Sequence, residues 1–136
     1  MLTPTQIVDK MLLQDNMSQW LGIQINKIEK GEVNLQLSVT ATMLNGFSIA
    51  HGGITYSMAD SCMAFTANSH GNHAVSVESS ISHHAAVKEN DLLSTQIEEL
   101  NKSSRFAVYL VRIYNQNKKL VASFKGTMFF KETVWS

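Results

Sequence analysis

The 136-residue chain has one cysteine, one proline, no surplus of either charge and no long apolar run. Each scarcity removes a class of protein. A lone cysteine cannot build an internal disulfide framework, and it fits a reducing compartment, so a cytoplasmic setting is expected. Eleven basic side chains against eleven acidic ones leave no cationic excess to replace counterions on nucleic acid, which sets that partner aside. No apolar stretch approaches the roughly 18 residues of a membrane helix, and no basic-then-apolar leader opens the chain, so neither membrane nor secretion is expected. Pro4 stands alone, leaving no Pro-rich linker, and no internal repeat is visible. With 44% hydrophobic residues, the length suits one domain, residues 1–136, with a core that needs no metal or disulfide staple.

What is present has a clear texture. Thr3-Pro4-Thr5 resembles a helix start, and Ile7, Val8, Met11, Leu12 and Trp20 follow at helical spacing. From residue 21 to 40 the period changes to two. Ile23 and Ile25, then Val33, Leu35, Leu37 and Val39, alternate with polar residues across Lys30-Gly31, which predicts a β-hairpin with one buried face. Residues 45–53 have the composition of a loop. Residues 54–69 lack glycine and proline and are apolar around nearly the whole circumference, the pattern of a helix buried on all sides, with Gly71 as its stop. Strands are expected over 74–84, 92–100, 105–114 and 120–130, the last two joined by the polar turn 115–118. One buried helix among short-linked strands requires an antiparallel sheet curled around it, an α+β fold.

Two features of the central segment depart from a purely structural pattern. Gly52 and Gly53 stand where the helix begins, so the free N–H groups of its first turn are uncovered by side chains and can receive a developing oxyanion. A glycine pair before a helix is more commonly just a tight turn. Asp60 lies inside the apolar helix, and a buried carboxylate is either paired or has a perturbed pKa and a role. Eight residues separate Gly52 from Asp60, about 12 Å along one helix. A base and an oxyanion donor must both lie near one carbonyl, so one chain cannot bring them together. Two antiparallel helices across a two-fold axis can, and a homodimer with shared sites is expected.

The run MLNGFSIAHGGITYSMADSCMAFTANSHG, residues 43–71, resembles the signature of the hotdog-fold acyl-CoA thioesterases of the phenylacetate-degradation, PaaI-type branch. The resemblance extends from Leu21-Gly22-Ile23 to Thr127. It implies a hotdog fold, a curled antiparallel β-sheet wrapped around a long central helix, in dimers that pair further into tetramers. It implies hydrolysis of a small acyl-CoA, with aryl-acetyl a candidate acyl group, CoA as part of the substrate and no separate cofactor. By position, Gly52 matches the oxyanion donor, Asn45 and His51 the loop that polarises the thioester carbonyl, and Gly53 its continuation. Asp60 matches the catalytic carboxylate from the partner chain, as general base or as nucleophile. Ser76 matches a serine that some members use to position water.

The chain also departs from the pattern. Ser82-His83-His84-Ala85-Ala86 replaces the aromatic-basic-proline end of the strand after the helix, a segment tied to the acyl and pantetheine channel. Residues 101–105 replace a Gly-basic turn, leaving Lys102 and Arg105 as candidates for the CoA phosphates, with solvated surface charge as the plainer reading. His70, His73, His83 and His84 lack the cysteine pair or carboxylate of a recognisable metal site, so no metal is expected. Cys62 and the seven methionines suit a core. Two functions remain: a thioesterase, or a non-catalytic acyl-CoA-binding hotdog module. A sensing module has no use for an acid in the helix, and Asp60 favours the enzyme.

Overall fold

A computed structural model describes residues 1–136. Helix α1 (Pro4–Gln14) opens as the composition predicts: Thr3 Oγ1 accepts the Gln6 N–H at 3.2 Å, and Gln6 Oε1 accepts the Thr3 N–H at 2.9 Å. This reciprocal cap satisfies two donors that a helix start leaves free. The helix does not continue to Trp20. Asp15 ends it and caps a separate short helix, α2 (Asn16–Trp20), and Trp20 is 54% exposed rather than part of a buried stripe.

A hairpin follows, β1 (Gln24–Glu29) and β2 (Glu32–Ser38), turning at Gly31 with φ +82°, a left-handed conformation suited to glycine. The central helix, α3 (Gly52–Asn68), leads to β3 (Asn72–His83), β4 (Leu92–Lys102), β5 (Phe106–Tyr114) and β6 (Leu120–Val134). All pairings are antiparallel, in the order β1-β2-β4-β5-β6-β3. The two strands flanking α3 in sequence, β2 and β3, are thus separated by three others, because α3 crosses the concave side of the sheet between them. No helix is long and apolar enough to cross a membrane.

The ladder is shortest between β2 and β4. Regular pairing there covers only Gln36–Ser38 against Leu92–Ser94. Beyond it, side chains take over the backbone groups. Leu35 N–H donates to Thr95 Oγ1 at 2.9 Å, Ile97 N–H to Asn34 Oδ1 at 3.0 Å, and Val33 N–H to Thr66 Oγ1 on α3 at 3.0 Å. Buried backbone donors must be paired, so these polar residues let the sheet bend without orphaned groups. Inside the bend, Met58, Ala59, Cys62, Met63 and Phe65 of α3 pack on Leu35, Tyr109, Val111 and Phe124. Gly126 on β6 admits Met63: a Cβ there would overlap the Met63 sulfur and sit 2.8 Å from its methyl carbon.

The helix is not buried on every side. Gly53, Tyr56, Ser57, Asp60, Ser61 and Ala64 form a half-buried stripe, while the remaining faces are covered by the sheet and by α1 and α2. Strand β3 is outermost and has one bare edge. Val75 and Val77 on it are 44% and 55% exposed. A bulge between Ser76 and Glu78 resets its phase, after which Ser79 bonds Tyr56 and His83 bonds Thr55, fastening the strand to α3.

Candidate active site

The loop before α3 is built by its own side chains. Asn45 Oδ1 accepts the N–H groups of Phe47 at 2.9 Å and Ile49 at 3.4 Å, and Ser48 takes a left-handed φ of 60°. Ala50 N–H then reaches Val87 O at 2.7 Å, and His51 N–H reaches Met43 O at 2.9 Å. These bonds fix the direction in which α3 begins. The helix starts at Gly52, two residues earlier than its apolar pattern suggests, because His51 caps it: His51 Nδ1 accepts the Gly53 N–H at 2.9 Å. His51 O accepts the Ile54 N–H at 2.9 Å. Gly52 N–H, between them, donates to no group of the protein. A single free donor therefore remains at the positive end of a 17-residue helix.

Gly52 lines a cavity of about 460 Å³. Asn45, Gly52, Thr55 and His83 supply its polar wall, and Ile49 and Val87 part of its apolar one. With its oxygen used in the loop, Asn45 has its amide nitrogen unengaged. No carboxylate lines this cavity.

The carboxylate lies further along the same helix. Asp60 is half-buried, accepts no hydrogen bond and has no ion-pair partner. Burial, and then repulsion from the nearby Asp15 carboxylate, push its pKa above the ordinary value of 3.8. Asp15 is itself held in place, accepting from Ser18 N–H at 2.9 Å and Ser18 Oγ–H at 2.6 Å, while Ser61 bonds Ser18 Oγ at 2.8 Å. An unpaired, partly desolvated carboxylate costs stability, and such costs concentrate at functional sites.

The other candidates fall elsewhere. Gly53 has its N–H occupied by His51 and does not line the cavity. Ser76 is exposed on β3 and makes no bond to Asp60. Arg105 lines a separate groove with Phe129 and Lys131, and Lys102 lies 4.9 Å over the Phe130 ring. One chain does not bring these two cations to the Gly52 cavity. Cys62 is fully buried, donates to Val33 O at 3.1 Å, and is pushed up to about 12 by burial, which removes it as a nucleophile. The histidines have protein partners: His70 bonds Glu99 at 2.7 Å, His73 stacks on Trp135, His83 bonds Thr55 and His84 bonds Ser123. Sequence reasoning passed over Thr55 and Asp15. It met His83 only as a departure from a pattern and as a discarded metal ligand, although two adjacent histidines at a strand end are signal enough to ask what one of them touches.

Residues 47–122, which carry the helix start, Asp60 and most of the sheet, match the family model of the thioesterase superfamily. The chain belongs to the thioesterase superfamily. Within it, the chain is a PaaI-type hotdog thioesterase and a hydrolase. It is 34% identical over 116 residues to the acyl-coenzyme A thioesterase PaaI of Escherichia coli, covering 85% of this chain and 83% of that one. The structure of E. coli PaaI, from the phenylacetic acid degradation operon, superposes with a TM-score of 0.94 at 30% identity over 98% of this thioesterase and 96% of that chain. A hypothetical thioesterase protein from Streptococcus pneumoniae, solved with coenzyme A, superposes with a TM-score of 0.86 at 28% identity over 93% of this chain and 98% of that one.

Proposed function

We propose that this thioesterase hydrolyses a small acyl-CoA, with aryl-acetyl thioesters among its substrates, at sites shared between two chains in the cytoplasm. One observation carries the reading. Gly52 N–H and the Asp60 carboxylate are both unpartnered, yet they sit on one unbroken helix, about 12 Å apart. The cavity with the donor lacks an acid, and the acid lacks a donor.

A second copy supplies each with the other. Antiparallel pairing of β3 with the β3 of a partner covers the bare edge, satisfies its backbone groups and lays the two α3 helices side by side in opposite directions. The Gly52 end of one helix then approaches the Asp60 turn of the next. Such dimers can pair again through other faces.

In this arrangement the thioester carbonyl oxygen accepts from Gly52 N–H, with Asn45 Nδ2 at hand as a second donor. His51 holds the loop and fixes Gly53. Asp60 takes a proton from water as the water oxygen bonds to the carbonyl carbon. The resulting oxyanion is held by the helix N-terminus, the C–S bond breaks, CoA leaves as a thiolate, and the free acid remains. Direct attack by Asp60 gives a mixed anhydride instead, and hydrolysis in ¹⁸O water separates the two by label in the Asp60 carboxylate. Ser76 and the Lys102–Arg105 turn act, in this reading, in the assembled dimer: Ser76 on water and the cations on CoA phosphates. The similarity to PaaI over most of both chains, and the coenzyme A bound to the S. pneumoniae relative, support the substrate class.

The test is complementation. Asp60→Asn and Gly52→Pro each remove one half of a site, and proline is tolerated at a first helical position. Each variant should be inactive alone. Random exchange of equal amounts should restore about a quarter of wild-type activity, since half the dimers carry one intact site. No recovery after exchange has been verified by mass would overturn the shared site. CoA binding without turnover in the wild type would support the non-catalytic module instead.

A further inference from the structure

Resting on the reading of Gly52 as the oxyanion donor, we propose that Thr55 and His83 are a positioning pair that braces this donor against strand β3. Two glycines at a helix start are the least constrained residues the backbone offers, and an oxyanion donor must be held to a fraction of an ångström. Something other than a side chain of its own has to hold Gly52.

Two contacts do so. Thr55, one turn into α3 and 2% exposed, has its Oγ1 3.1 Å from Gly52 O and 2.8 Å from His83 Nε2. A hydroxyl has one proton. If it is given to Gly52 O, Thr55 must accept from His83, so the imidazole carries its proton on Nε2. The chain then runs in one direction, His83 Nε2–H to Thr55 Oγ1–H to Gly52 C=O. The second contact is steric. The position a Cβ would occupy on Gly52 lies 3.2 Å from His83 Cε1 and 3.6 Å from Nε2. The ring stands beside the place a side chain at residue 52 would have taken, against the face of Gly52 that carries no side-chain atoms of its own.

His83 is the last residue of β3, and it links the Thr55 hydroxyl to that strand. The donor is thus tied to the strand whose free edge is the proposed meeting point of two chains. This accounts for the departure at 82–86: a histidine at 83 has a hydrogen-bonding duty that an aromatic hydrocarbon ring cannot perform.

Thr55→Val keeps shape and removes the hydroxyl; His83→Phe keeps a ring and removes the Nε2 donor. With acetyl-, benzoyl- or phenylacetyl-CoA, whichever is turned over, each should lower kcat about tenfold, a part of the 10²–10³-fold loss seen when an oxyanion donor is removed altogether. KM should stay within about twofold, since a displaced donor weakens the transition state more than the ground state. The double variant should be no worse than either single one, because the two act as a chain. Thr55→Ser should recover most of what Thr55→Val loses. Imidazole ¹⁵N spectra of the wild-type protein should show His83 as the Nε2–H tautomer, and amide exchange at Gly53, whose N–H is bonded to His51, should quicken in Thr55→Val. An Nδ1–H tautomer, or a kcat for both single variants within twofold of wild type, overturns the pair. The spectra and exchange rates need no turnover: a wild type that hydrolyses none of the thioesters overturns the hydrolase reading, and the tautomer still decides the brace.

Discussion

Replacing Asp60 by asparagine separates function from folding in a way the structure makes quantitative. The change is isosteric and removes one charge. General-base catalysis by a positioned side chain is worth about 10²–10⁴ in rate, or roughly 3–5 kcal/mol of barrier. Turnover on acyl-CoA should fall by that factor. Stability should move the other way. Asp60 accepts no hydrogen bond and has no cation beside it, so asparagine forfeits no partner. Its pKa in the folded chain is raised above 3.8 by burial and by Asp15, so folding favours the protonated form. The contribution of Asp60 to wild-type stability is therefore greatest below 3.8 and is lost as pH rises through the raised pKa, whereas Asp60→Asn has no such loss. Melting temperatures of the two proteins should coincide in acid, part across that window, and hold a constant gap in favour of the variant at neutral pH. Thermal unfolding from pH 3 to 8, beside steady-state thiol release, measures both. Near-wild-type turnover would refute the assignment of the base. A variant that loses activity and also melts lower at pH 7 would refute the claim that the carboxylate is held at a cost.

Asp15→Asn removes the second cause of the Asp60 shift while keeping a side-chain oxygen for Ser18, since asparagine caps helices as well as aspartate does. In the proposed mechanism the acid limb of kcat/KM reports ionisation of Asp60 and should move to lower pH; an unmoved limb would mean that Asp15 does not act on the proposed base. Gly126→Ala presses a methyl against Met63 in the packed core, and overpacking of this kind costs about 1–3 kcal/mol, read as a lower denaturation midpoint in urea. Cys62, its pKa pushed up to about 12, should resist iodoacetamide in the native protein and react fully once urea unfolds it.

Elements whose own pattern matched their surroundings were legible in the sequence. Val33, Leu35 and Leu37 alternate because β2 buries one face, and the Lys30-Gly31 turn required a left-handed glycine. Where a neighbour decided the outcome, the sequence was silent. Strand β6 runs to Val134, past the apolar pattern that ends at Phe130, because β3 starts at Asn72 and offers it a partner. The five residues of α2 are too few to show a period, and their start depends on one bond from Asp15. The pattern of helix α3 predicts burial all round because small residues count as apolar; tertiary packing leaves the stripe through Gly53, Ser57 and Asp60 half open. At the site, residue types announced the donor and the acid, and helix rise alone separated them. The Thr55–His83 bond joins positions 28 apart and required the fold.

Strand β3 is 12 residues long and bonded on one side only. A row of backbone donors and acceptors facing solvent is a binding surface whose occupancy follows mass action. In the proposed arrangement of two chains per site, activity per milligram would not be a constant of the protein. It should climb with concentration until every edge is occupied, and it should decay on dilution at the rate at which strands part. The same law makes thermal resistance depend on how much protein is in the tube. A dilute assay and a concentrated stock would then report on different molecules.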